Sequence, residues 1–145
     1  MRRKGIIERF KKATPIIKEL IDDLAWLQDE FDPSMATEEE RTYAKHLMIL
    51  GCNNFDESGW RLKRMFAAVG EQGRLYRNAA DRFEMEGADI EFACGSSCEV
   101  YAPYFSDEEK LMTWIPTSIE YKGDYYFTAR PDMKMEGALV RIKER

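Results

Sequence analysis

Four side chains in this sequence are of the types that bind a transition metal: His46, Cys52, Cys94 and Cys98. They are all three cysteines and the single histidine. A Cys3His set is a tetrahedral zinc site in composition, and Cys94-Gly-Ser-Ser-Cys98 would supply two of its thiolates from one loop. The usual knuckle spaces its cysteines by two residues rather than three, and buried cysteines without a ligand are common and inert. Zinc, a redox Cys94/Cys98 pair and a nucleophilic thiol are therefore alternatives to inert, reduced thiols, which are the leading expectation. His46 has the chemistry of a general base, but no ordered serine or aspartate accompanies it, so a structural histidine is expected. Asp56 and Glu57 are a carboxylate pair that the start of a helix explains without catalysis.

Nucleotide chemistry is disfavoured. No glycine-rich phosphate loop or dinucleotide fingerprint occurs, and Gly70-Glu-Gln-Gly73 does not replace one. Arg61, Arg64, Arg74 and Arg77 would form a basic stripe if they shared a helix, but the chain is acidic and carries no recognised nucleic-acid motif. A nucleic-acid accessory role is thus a second alternative only. The remaining lead is aromatic: eight of eighteen aromatic residues fall between Tyr101 and Phe127. Such residues suit a ligand pocket or an interface as well as a core.

The charge is segregated along the chain. The formal net charge of −5 hides seven bases against Glu8 alone from Arg2 to Lys18, followed by nine acids and no base from Glu19 to Glu40. A further block, 61–82, holds six bases and two acids, and 88–145 holds seven bases and eleven acids. The first two blocks lie on a seam of Ile6, Phe10, Ala13, Ile17, Leu20, Leu24, Leu27 and Phe31, whose alternating spacing of four and three is a heptad pattern. That seam predicts either intramolecular helix packing or a homo-oligomer through residues 6–31. Thr14-Pro15 within it predicts a short basic helix followed by an acidic one, or one kinked helix.

Thr37 with Glu40 forms a capping box and predicts a second helix to Leu50. Asp56 predicts the start of a third, carried in helical phase by Leu62, Phe66, Val69, Gly73, Tyr76, Ala80 and Phe83 up to Gly87. Its two glycines predict a bend or break at 70–73, unless another backbone passes close to Gly73. After Gly87 the period becomes two. Five strands are expected, near Ile90–Cys94, Val100–Tyr104, Thr117–Tyr121, Tyr125–Arg130 and Ala138–Lys143, with a short helix from Ser106 to before Pro116. A three-residue loop after Tyr121 would pair Tyr121 with Tyr125 and Ile119 with Phe127, keeping four apolar residues on one face. Glu120, Tyr126, Arg130 and Arg141 then share the polar face as candidate ligand-binding residues.

The expectation is a single α+β domain over 1–145. A helical part, 1–87, of three to four helices packs with a β-rich part, 88–145, of four to five mostly antiparallel strands. No apolar run approaches the roughly 18 residues of a membrane span, and no secretory core follows Met1-Arg2-Arg3-Lys4, so a cytoplasmic location is expected. The function expected is non-catalytic binding or regulation, through a protein partner or a small anionic ligand.

Overall fold

The computed structural model describes residues 4–105 and 111–144, without the side chains of Cys52 and Asn53. It shows an α+β chain with three α-helices followed by seven antiparallel strands among these residues. The chain folds as two compact units, Met1–Phe66 and Ala67–Arg145.

In the first unit, helix α1 runs unbroken from Ile6 to Asp29 with Pro15 inside it. Thr14 is not a cap: its hydroxyl donates to the Phe10 carbonyl at 2.8 Å. Helix α2, Glu38–Leu50, opens with the expected capping box, Thr37 Oγ1 accepting from the Glu40 amide and Glu40 from the Thr37 amide. A π-helical turn, Gly51–Phe55, leads directly into α3, Asp56–Phe66. The seam is used in part. Ala13, Ile17, Leu24, Leu27 and Phe31 are half-buried, whereas Ile6, Phe10 and Leu20 are exposed and Ile21 turns inward instead. The reason is Gly59 of α3, where an added Cβ would collide with Ile21 Cδ1 and lie 3.3 Å from Ile17 Cγ2. The missing side chain lets α3 sit against that face of α1.

The second unit corrects two helical expectations. Residues 69–86 are not the continuation of α3 but strands β1, Val69–Arg77, and β2, Phe83–Met85. Helical phase at Val69 and Tyr76 is coincidental, since both are exposed, while Gly73, Leu75, Phe83 and Met85 carry a period of two toward the core. Gly73 explains the choice: an added Cβ would lie 2.6 Å from the Glu86 carbonyl, so another backbone does pass there. Likewise the helix expected up to Pro116 does not reach it, because strand β5 already begins at Met112; the Ser106–Lys110 part of that expectation lies outside the described residues. Pro116 is tolerated because it lies beyond the register with β6, where one edge of β5 is unpaired in the ladder.

With β3 (Glu91–Phe92), β4 (Ser97–Pro103), β5 (Met112–Tyr121), β6 (Tyr125–Phe127) and β7 (Leu139–Lys143), the sheet order is β3-β2-β1-β7-β4-β5-β6. The five expected strands are all present, and the two recovered from the supposed helix raise the number to seven. Two meanders are joined by the last strand, β7, which pairs with β1 on one side and β4 on the other. The β5–β6 hairpin has the expected register, Tyr121 opposite Tyr125 and Ile119 opposite Phe127. The sheet curls: Phe83 of β2 meets Tyr125 of β6 edge-on at 6.2 Å although the strands are far apart in sheet order. Arg77 at the end of β1 likewise reaches Asp124 in the β5–β6 loop at 3.1 Å. Inside the curl lie Leu75, Met85, Val100, Ile119, Phe127 and Val140, all essentially solvent-free. Each contributes about 1.5–3 kcal/mol of transfer free energy.

Candidate functional site

Alternation along β4, β5 and β7 sends one set of side chains into that core and the other outward. Cys98, Val100 and Ala102 point in, so Glu99 and Tyr101 point out; Val140 points in, so Leu139 and Arg141 point out. The register places Tyr101 opposite Trp114 and Glu99 opposite both Pro116 and Arg141. The outward residues form a stack. Trp114 lies 5.0 Å from the Tyr101 ring at a 50° tilt, and the Arg141 guanidinium sits 4.4 Å above the indole. Arg141 Nε also donates to Glu99 Oε1 at 2.6 Å, and both side chains of this pair are mostly covered, at 20% and 15% exposure. Glu99 thus holds the guanidinium over Trp114, while Tyr101, exposed Met112 and exposed Pro116 extend the apolar surface.

The four expected ligand-binding residues are placed differently from one another. Glu120 and Tyr126 are cross-strand partners on β5 and β6. Glu120 accepts a hydrogen bond from the Cys94 thiol at 2.8 Å. Arg130 donates to the carbonyls of Pro103, Tyr104 and Ala129 at 2.9–3.1 Å, tying the segment after β6 to the end of β4. Among the described residues, its buried Nε has no hydrogen-bond partner. Arg141 is engaged by Glu99 and Trp114. Sequence reasoning finds Arg141 but misses Glu99 and the role of Trp114, which it places on a helix. The alternation of Glu99 and Tyr101 with Val100 and Ala102 is the available signal.

The metal-type residues occupy separate settings. Cys98 is buried in the sheet core, and Cys94 is exposed in the loop before β4; neither is in a disulfide. Donating to the Glu120 carboxylate pushes the Cys94 thiol above its ordinary range, with burial adding to the shift and the Tyr121 amide opposing it. A raised thiol is a poorer nucleophile and a poorer ligand at neutral pH. His46 is exposed on α2 with Nδ1 against the Thr42 carbonyl at 2.9 Å. Cys52 lies outside the described side chains. Among the described residues, no group of three or more His, Cys, Asp or Glu side chains could hold a metal ion.

Asp56 and Glu57 serve the start of α3: Asp56 accepts from the Glu57 amide, and Glu57 pairs with Arg61 at 2.8 Å. The basic stripe does not form on one helix. Arg61 and Arg64 are on α3, with Arg64 over Trp60 at 5.2 Å, whereas Arg74 and Arg77 are on β1. Arg74 donates to Gly137 O, and Arg77 pairs with Asp81 and Asp124. A cleft of about 780 Å³ between α1 and α3 is lined by Lys18, Ile21, Asp22, Asp56, Trp60 and Lys63, among others. Its charges are mixed in sign, and it contains no nucleophile–base pair.

Residues 72–142 match the family model described as Domain of unknown function (DUF5348). The match starts within β1 and ends within β7, so it spans the sheet and both flanks of the Trp114 stack and includes none of the helices. No curated protein and no solved structure matches the chain. Among the described residues, no helix is long and apolar enough to cross a membrane.

Proposed function

We propose that the chain is a non-catalytic binding module that docks a protein partner on the outer face of β4, β5 and β7. The observation that carries the reading is Trp114 between Tyr101 and Arg141, with the guanidinium fixed by Glu99. Tryptophan, tyrosine and arginine are the residues that dominate interface energetics. A stack already ordered by its own neighbours loses little side-chain entropy when a partner covers it. A protein partner is favoured over a small anion because Arg141 already binds Glu99 through Nε and Arg130 binds main-chain carbonyls through Nη1 and Nη2.

The test replaces Tyr101 with a photo-crosslinking benzoylphenylalanine in the full chain and irradiates it in extract from the producing cells. A discrete protein adduct is expected, and adding Trp114→Ala should weaken its capture by about thirtyfold, the effect of losing an interface anchor. The same crosslinker at Lys122 on the β5–β6 loop should give none. Adducts that persist unchanged with Trp114→Ala would refute this docking face.

A further inference from the structure

The two units bury apolar side chains very unequally. Of the thirteen buried apolar residues among those described, only Ala44 is in the helical unit, whereas thirteen of the twenty-one exposed large hydrophobics are there. On α1 these include Ile6, Phe10, Ile16, Leu20 and Trp26, of which Ile6, Phe10 and Leu20 belong to the heptad seam. Helices draw most of their stability from packing an apolar face, and here much of that face is open.

The charges of α1 run the wrong way for an isolated helix. Arg9, Lys11 and Lys12 occupy its N-terminal half with Glu8, Lys18 lies just past its middle, and Glu19, Asp22, Asp23 and Asp29 follow with no further base. The macrodipole favours the opposite order, acids first and bases last. Among the described residues, no side chain of α1 makes an ion pair. Yet the order that is unfavourable for one helix suits two helices side by side in opposite directions. The basic half of each then faces the acidic half of the other, and the two dipoles also oppose.

We propose that α1 is a self-docking surface that pairs antiparallel with α1 of a second copy of this chain. Parallel pairing would set Lys11 and Lys12 against their own copies, and Asp22 and Asp23 against theirs. The antiparallel arrangement covers the exposed seam and neutralises both ends at once.

Sedimentation equilibrium of the full chain tests this. The expected species is a dimer, twice the 17.0 kDa chain mass, whose dissociation constant rises with salt between about 0.05 and 0.5 M. Lys11→Glu with Lys12→Glu should weaken it about tenfold or more, and so should Asp22→Lys with Asp23→Lys. All four substitutions together should restore it to within about threefold of the original. The first pair brings α1 into line with its own macrodipole, so helicity by circular dichroism should hold or rise while the dimer is lost. That separates loss of docking from loss of fold. As an uncharged arm, Ile16→Gln with Leu20→Gln should also give monomer. A chain monomeric at every concentration overturns the proposal. So does a dimer unaffected by either single-end reversal, which is the parallel outcome, or one that the fourfold variant fails to restore.

Discussion

Gly73→Ala tests whether the close approach of β1 and β2 is what keeps residues 69–77 out of the helix. Ordinary Gly→Ala changes at compatible backbone stabilise a protein by about 0.4–1 kcal/mol, because alanine restricts the unfolded chain. At Gly73 the new Cβ would lie 2.6 Å from Glu86 O and 2.8 Å from Met85 Cγ, about 0.8 and 0.6 Å inside ordinary contact. The first neighbour is backbone whose own residue is bound into the pairing, Glu86 N–H donating to Arg74 O at 2.8 Å. The second belongs to a fully buried side chain in the core. Neither can yield without stretching the ladder or repacking Met85, and overpacking of this kind costs about 1–3 kcal/mol. The crowding outweighs the entropic gain, leaving a net loss of about 1–2 kcal/mol. For a unit of this size, that lowers the melting temperature by roughly 5–15 °C. Gly70→Ala is the graded control: its Cβ would stand 3.1 Å from Ile142 O, so the loss should be smaller. Urea unfolding followed by hydrogen exchange at the amides of Leu75 and Val140 reads both variants. Equal or greater stability of Gly73→Ala would refute the packing argument, as would a larger loss at Gly70.

Two further outcomes follow from charges near the candidate face. Glu120 holds the Cys94 thiol protonated, so Glu120→Gln should speed alkylation of Cys94 by iodoacetamide at neutral pH, with buried Cys98 protected in both proteins; an unchanged rate would mean the Cys94–Glu120 hydrogen bond does not govern the thiol. Asp124 is held below the ordinary aspartate range by the Tyr125 amide and then by Arg77. A folded value below the unfolded one gives stability that is present above about pH 4 and lost as pH falls through the lowered value. Melting temperatures of the original chain and Asp124→Asn should therefore differ at pH 6 and converge toward pH 2; a gap that persists in acid would show that the carboxylate charge is not the cause.

The legible parts of this fold are those where one local signal has no competitor. Thr37 and Glu40 start α2 because the capping box satisfies two otherwise unpaired amides within four residues. The β5–β6 hairpin is legible because only a three-residue loop puts Ile119, Tyr121, Tyr125 and Phe127 on one face. Residues 69–83 mislead for the opposite reason. Val69, Gly73, Tyr76, Ala80 and Phe83 satisfy a helical period by chance, and the contact that decides against it, Glu86 O over Gly73, closes only in three dimensions. The same blindness hides the candidate site. Arg141 is visible as a polar residue on a strand, but Glu99 reaches it from neighbouring β4 and Trp114 from β5, across β4. Their pairing depends on β7 being inserted between β1 and β4, which no local pattern encodes.

The charge segregation and the unequal burial have one physical account. A sheet that curls on itself and fills its interior with Leu75, Val100, Ile119, Phe127 and Val140 needs nothing more to cover its apolar side. Its outward residues are therefore free for contact with something else, the role proposed above for the Trp114 stack. The helical unit is unfinished by the same standard: α3 closes on α1 where Gly59 meets Ile17 and Ile21, while Phe10, Ile16 and Leu20 stay exposed. Stability favours acids at the start of a helix and bases at its end, as at Glu38, Glu39 and Glu40 of α2 and Lys63 and Arg64 of α3. Of the three described helices, α1 is the one that inverts that order along its length, and it also leaves Ile6, Phe10 and Leu20 of its heptad seam open. An inverted charge order on an open apolar seam is unfavourable twice over in a single chain, and both costs are removed by one antiparallel neighbour of the same sequence.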